Sequence, residues 1–232
     1  MNKEVLQKYI ASSGLCSRRK AEVFIKEKQV KLNGKMASLG DRAGSKDKVE
    51  VVGKTIKKEK EKIYIKLNKP RGFTCTNREF KGEQNIFKLI NNKERLFVVG
   101  RLDKNSRGLV LLTNDGEFAQ KLTHPKHEHE KEYIVKVENK KKKDLVKREV
   151  AETTKSFKKG VDINDSDGIV SAKRIKYLGD NKFSVVLTQG KKRQIRRMFD
   201  VLGIEVVDLL RIRIGKIALG DLKEGDSLQF LI

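Results

Sequence analysis

The chain of 232 residues is long enough for one large domain or for a small domain joined to a larger one, and either can bury a core. Its 54 Lys+Arg against 31 Asp+Glu leave a formal net charge of +23, so the expected partner is a polyanion bound in a steeply salt-dependent way. Residues 1–62 hold 17 basic and 8 acidic residues, so the excess is spread over the whole chain and nucleic acid is the first candidate. Cys16 and Cys75 stand far apart with no C-x-x-C spacing, which argues against a disulfide framework or a zinc knuckle and fits a reducing cytoplasm. No stretch of roughly 18 apolar residues could cross a membrane, and the start lacks the apolar core of a signal peptide, so a cytoplasmic protein with no membrane partner is expected.

Val5, Leu6, Tyr9 and Ile10 recur at helical spacing until Ser13-Gly14 breaks the pattern. Ser17 can cap a second helix with Ala21, Phe24 and Ile25 inside and Arg18, Arg19 and Lys20 on its exposed first turn. Cations there oppose the helix dipole, a poor choice for stability and an understandable one if phosphates dock on that surface. Asn33-Gly34 between Val30-Lys31-Leu32 and Lys35-Met36-Ala37 predicts a type I′ hairpin, and Val49-Glu50-Val51 another strand. The run from Gly53 to Lys62 has no apolar period and reads as a charged, extended linker, which divides the chain into domains at 1–58 and 59–232.

Beyond the linker, strands are expected at Ile63–Leu67, Leu96–Val99, Leu109–Leu112, Tyr133–Val137, Phe183–Leu187 and Val206–Ile214, and helices at Glu117–Leu122 and Arg193–Leu202. Many strands and few helices point to an α+β fold on a mixed, largely antiparallel sheet. The polar stretch from Glu138 to Lys159, headed by Lys140 to Lys143, is open to helix, loop or both. Gly53-Lys54-Thr55 ends like a phosphate-binding loop, but Lys48 stands where that pattern needs glycine. His124, His127 and His129 fall within six residues with no second set of ligands elsewhere, so no metal is expected and a solvated, RNA-facing loop is the simpler reading.

Two runs are more demanding. Gly100-Arg101-Leu102-Asp103-Lys104-Asn105-Ser106-Arg107-Gly108-Leu109 places an acid between two apolar strands. Taken alone, it could be an ordinary turn in which Asp103 and Ser106 bond the backbone and Gly108 supplies a positive φ. Gly190 to Phe199, with Arg193, Arg196 and Arg197, is either a basic helix start that holds phosphates or part of an active site.

Taken together, these runs resemble the RsuA/RluB/RluE/RluF family of ribosomal RNA pseudouridine synthases. The resemblance covers nearly the whole chain: Gly14 to Ala21 with Val30 to Gly34, then Leu67-Asn68-Lys69-Pro70-Arg71-Gly72, Arg101 through Gly116, Lys131-Glu132-Tyr133, and Arg193 to Met198 follow the family's order. It implies a small alpha-L RNA-binding domain ahead of a catalytic domain with the pseudouridine synthase fold, acting without a cofactor. The runs His129 to Tyr133 and Gln194 to Met198 are most similar to the RluF branch, with RluB next, which implies 23S rather than 16S rRNA and leaves a tRNA substrate open. A monomer is expected. By resemblance Asp103 acts at the ribose, as nucleophile or as base; Arg196 is its cationic partner in a buried pair; and Tyr133 stacks on the flipped uracil. Arg101 resembles the side chain that fills the vacated stack, and Ile195 one that packs on the ring. Arg193 and Arg197, like Arg18, Arg19 and Lys20, are expected to contact RNA. The lysine-rich segment from Lys140 to Lys159 matches nothing in the family pattern. Two rivals remain at this stage: a non-catalytic RNA-binding or ribosome-assembly factor, and a nucleotide-dependent enzyme acting on RNA.

Overall fold

The computed structural model describes residues 3–58, 61–77, 80–163 and 168–231. The chain divides into two compact units, one of Met1–Tyr64 with Asn92–Phe97 and Thr113–Gly116, the other of Ile65–Asn91, Val98–Leu112 and Glu117–Ile232.

In the first unit, α1 (Leu6–Ala11) buries Leu6, Tyr9 and Ile10 and stops where the hydroxyls of Ser12 and Ser13 donate back to the carbonyls of Tyr9 and Ile10. The next helix, α2 (Arg18–Lys26), is capped by Ser17, whose side chain accepts from the Lys20 amide at 3.2 Å. Ala21 and Ile25 face inward with Phe24 half-buried beside them. One sheet after these helices has four strands, β1 (Val30–Leu32), β2 (Lys35–Met36), β3 (Val49–Val51) and β4 (Lys54–Ile56), in the order β2-β1-β3-β4. Asn33 and Gly34 both take positive φ, 51° and 81°, as the expected I′ turn requires.

β4 corrects the reading of Gly53–Lys62 as linker throughout. Lys54, Thr55 and Ile56 pair with Val51, Glu50 and Val49. Pattern reading misses so short a strand because Ile56 is its only inward apolar side chain, and because Val52, a residue that rarely adopts positive φ, opens the turn at φ 49°.

The second unit carries the large mixed sheet. Its strands are β5 (Tyr64–Lys69), β6 (Phe97–Val99), β7 (Arg107–Thr113), β8 (Lys131–Asn139), β9 (Arg174–Gly179), β10 (Lys182–Leu187), β11 (Ile204–Ile214), β12 (Ile217–Ala218) and β13 (Ser227–Gln229). They run in the order β9-β10-β8-β11-β7-β5-β13, with β6 on β7 and β12 on β11. β8 is antiparallel to both neighbours, whereas β7 and β11 are parallel. One core cluster joins Val99, Leu109, Leu111, Ile214 and Leu219 to Leu122 of α3 (Gly116–Thr123). Elsewhere Phe157 of α4 (Lys147–Lys159), Phe199 of α5 (Gln194–Val201) and Phe183 of β10 stack, Phe157 and Phe199 at 4.6 Å and Phe183 and Phe199 at 5.5 Å. Helix α4 thus resolves the polar stretch that pattern reading leaves open. Two strands that reading does not name, β9 and β13, lie at the ends of the sheet order, where few apolar residues are needed.

The parallel pair sets a tight condition at Gly108. Its φ is 101°, and a Cβ there would stand 2.3 Å from the Arg211 carbonyl oxygen. Strain and overlap act together, so Gly108→Ala is expected to cost about 3 kcal/mol, read from the urea midpoint of the full chain. A midpoint unchanged from the parent would refute the close approach of β7 to β11.

Candidate active site

The geometry converges on the connection between β6 and β7. Asp103 is half-exposed there, and its carboxylate makes no hydrogen bond or ion pair with any described residue. Each carbonyl of the turn from Asp103 to Ser106 accepts a hydrogen bond. The Asp103 carbonyl accepts from the Ser106 amide at 3.1 Å, closing a tight turn. The Lys69 ammonium donates to the carbonyls of Lys104 at 3.2 Å and Ser106 at 2.7 Å, and to that of Pro70 at 2.9 Å. Arg196 donates through Nη2 to the Asn105 carbonyl at 3.1 Å and through Nη1 to that of Val206 at 2.7 Å. Arg211 closes the ends of the loop, donating to the carbonyls of Gly100 and Leu109, both at 2.7 Å.

Lys69 and Arg211 are almost wholly buried, and neither ion-pairs with a described carboxylate. Desolvation disfavours such cations. Burial pushes the Lys69 ammonium down from the usual 10.5 to about 8, against the charges of Cys75 and Asp103, which favour it. Lys131, at the start of β8, is lowered by burial and then by the charge of Arg211. Arg196 is lowered first by burial and next by the charge of Arg193, while Asp103 pulls the other way. Burial raises the Cys75 thiol above its ordinary value, while the Leu102 amide and the charge of Lys69 pull it the other way. One partly exposed carboxylate therefore lies among several desolvated cations, an arrangement that attracts phosphate.

Tyr133 is buried on β8 and lies opposite Arg211 of β11. A bulge falls here: Glu132 pairs with Arg213 and Tyr133 with Arg211, so Ile212 is the extra residue. Bulges re-aim neighbouring side chains, and this one adjoins the aromatic ring in question. Val135 and Val137 alternate with Tyr133 on one face, and Val135 pairs with Phe183, whose ring meets Phe199 of α5. Tyr133 thus looks toward the face that α5 covers.

Several expectations change. The direct Asp103–Arg196 ion pair is not formed. The Arg196 guanidinium is occupied by two main-chain carbonyls, and its Nε is buried without a hydrogen-bond partner among the described residues. Ile195 is buried on the inner side of α5 rather than displayed. Arg197 is not turned toward solvent, because its guanidinium donates to the Ile163 carbonyl at 2.7 Å and ties α5 to the segment after α4. Arg101 and Arg193 are exposed as expected, and Arg193 precedes α5 in the left-handed conformation. In the first unit Arg18, Arg19 and Lys20 are exposed on the first turn of α2, with the Lys20 ammonium 4.8 Å from the Phe24 ring. His124 and His127 are exposed, and no group of three or more metal-ligating side chains occurs among the described residues. Sequence reading assigned no role to Lys69 or Arg211. A charge in the middle of the apolar run Val206–Ile214 was the available signal for Arg211.

Residues 63–200 match the model of the RNA pseudouridylate synthase family, and residues 6–49 match that of the S4 domain. The chain belongs to the RNA pseudouridylate synthase family. The ribosomal large subunit pseudouridine synthase B of Bacillus subtilis (strain 168) is 37% identical over 230 residues, covering 97% of this chain and 91% of the relative. The dual-specificity RNA pseudouridine synthase RluF of Escherichia coli (strain K12) is 39% identical over 225 residues, covering 95% of this chain and 73% of the relative. A crystal structure of a pseudouridylate synthase superposes with a TM-score of 0.69 at 28% identity, covering 98% of this chain and 96% of that one. An S4 module followed by a synthase domain is therefore the organisation of this pseudouridine synthase, and the mixed sheet is the synthase fold.

The Lys69 ammonium offers three hydrogens to three carbonyls, and the neutral amine has only two. Raising the pH through about 8 is therefore expected to loosen the Asp103 turn and lower turnover, an alkaline limb that Lys69→Met removes along with most of the activity. The stability sign is opposite. With the folded pKa depressed, the unfolded chain binds more protons between about 8 and 10.5, so this group makes stability rise with pH across that window. A rate loss there accompanied by parallel unfolding would contradict the assignment.

Proposed function

We propose that this enzyme isomerises a specific uridine of ribosomal RNA to pseudouridine, with 23S rRNA favoured over 16S, as a cytoplasmic monomer without a cofactor. The observation that carries the reading is the free Asp103 carboxylate on a turn whose carbonyls are all bonded, beside the desolvated cations Lys69, Arg196 and Arg211. A carboxylate so placed is rigidly aimed, which suits attack at the ribose or abstraction of a ribose proton. The N1–C1′ bond breaks, the uracil turns, a bond forms from C1′ to carbon 5, the proton leaves carbon 5 for solvent, and N1 regains one. No atom is gained or lost, so no oxidant or nucleotide is needed.

The target base must first leave its stack, at a cost of a few kcal/mol that binding to the surrounding RNA offsets. Tyr133 supplies an aromatic face for the flipped uracil. Arg101 is exposed and free to enter the vacated stack. The charge of Arg196 acts on Asp103 from its place on the Asn105 carbonyl. Arg193 contacts the RNA backbone at the start of α5, and Arg18, Arg19 and Lys20 do so from the S4 module, with domains assigned to 1–58 and 59–232. A tRNA substrate is kept as a second reading, distinguished by which RNA is modified.

Purified chain, with no added metal or nucleotide, is expected to release tritium from ribosomal RNA labelled at carbon 5 of uridine. Asp103→Asn should abolish release and retain RNA binding. Full turnover by that variant, or activity only with added ATP, would overturn the reading. Replacing Arg18, Arg19 and Lys20 by Gln should weaken binding and flatten its salt dependence by about 0.7 to 0.9 per lost phosphate contact.

A further inference from the structure

The outer face of α4 takes no part in the arrangement described so far. The helix buries Thr153 and Phe157 and leaves Lys147, Arg148, Ala151, Glu152, Lys155, Lys158 and Lys159 exposed. At 100° per residue the five cations fall within an arc of about 120°, on one face. Glu152, the only exposed acid among them, is tied to Arg148 at 2.8 Å. Glu149 is turned to the helix start, where it accepts from the Val146 amide at 2.9 Å and pairs with Lys142 at 3.2 Å. Lys147, Lys155, Lys158 and Lys159 have no hydrogen bond or ion pair with any described residue.

The fold gives no reason for this pattern. A helix that needs only solubility gains from opposite charges four residues apart, whereas Lys155 and Lys159 form a like-charge pair at that spacing. The helix dipole favours Lys158 and Lys159 at the C-terminal end, but Lys147 sits at the N-terminal end, where it opposes the dipole. The position is also specific. The Phe157 carbonyl accepts from the Ala172 amide at 2.8 Å, just before β9. From there Ile175 pairs with Val185, and Val185 with Tyr133. The C-terminal end of α4 therefore lies at the end of the sheet that carries Lys131 and Tyr133.

We propose that the outer face of α4 is an RNA-backbone docking surface, on which Lys147, Lys155, Lys158 and Lys159 hold phosphates of the RNA flanking the target uridine. Lys147 and Lys158 are about 16 Å apart along the helix, roughly five base steps of a strand, so the face can follow a flanking stem. The inference rests on the reading of this chain as a ribosomal RNA enzyme and extends its footprint beyond the flipped nucleotide. Exposed lysines on a flexible stem suit non-specific phosphate contact, in which position counts more than base identity.

The test uses full-length protein and a transcribed stem-loop fragment of large-subunit ribosomal RNA that the parent chain modifies. Replacing Lys155, Lys158 and Lys159 together by Gln should weaken binding about tenfold at low salt. It should also make the slope of log affinity against log salt shallower by about two to three. In tritium release KM should rise while kcat at saturating RNA stays at the parent value, and Arg at the same three positions should restore slope and KM. An unchanged slope and KM in the Gln variant would overturn the proposal. So would an equal loss in the Arg variant, or a defect confined to protein-containing ribosomal particles with naked-RNA binding intact, which would make the partner a protein. Failure of the catalytic reading is distinguishable, because it would abolish tritium release in the parent itself.

Discussion

A buried lysine with no carboxylate partner among the described residues is the constraint on which the active centre depends. The Lys69 ammonium can remain inside only because the carbonyls of Pro70, Lys104 and Ser106 satisfy it, and those carbonyls belong to the strand end beside it and to the turn that follows Asp103. Satisfying the cation and shaping the turn are one event. Arg211 repeats the device one layer away, bonding Gly100 at one end of the loop and Leu109 at the other. Removal of either cation leaves main-chain oxygens without donors, so the loop's conformation and the interior's hydrogen bonding stand or fall together.

The same arrangement explains why Asp103 needs no side-chain partner of its own among the described residues. Its neighbours carry positive charge that desolvation has made costly, so a carboxylate or a phosphate is welcome there. Asp208, by contrast, is committed: burial tends to raise its pKa, yet the guanidinium groups of Arg107 and Arg71 hold it below the usual carboxylate range. Two acids on adjoining strands and loops thus take different roles, one fixing structure and one left available. Rigid aim with an unfilled electrostatic demand is what a preorganised site requires.

Much of this was legible in order of residues. The N-terminal helices, the Asn33-Gly34 turn and most strands of the sheet follow from apolar period and turn chemistry, and the ordered runs from Leu67 to Met198 carried the family. The parts that were not legible share a physical cause. Strand Lys54–Ile56 has a single inward apolar side chain and a valine in its turn. Strands β9 and β13, at the ends of the sheet order, need little apolar pattern. Arg196 could be placed near Asp103 by resemblance, but not its occupation by the Asn105 and Val206 carbonyls, which depends on where β11 passes.

By itself the sequence determined the partner class, through charge that no fold could hide, and the acid at issue, through its place between two apolar runs. It offered the glycine at position 108 only as a turn residue of positive φ, whereas the contact of two parallel strands that leaves no room for a Cβ there is a fact of the tertiary structure. Tertiary structure alone decided which cations surround that acid. Lys69, Arg196 and Arg211 are separated along the chain by more than a hundred residues at the extremes, and hydrogen bonds to the backbone of one loop bring them together. It decided as well that Arg197 braces the interior while the lysines of α4 remain outside. Helical period assigns a face, but only packing determines whether that face meets protein or solvent.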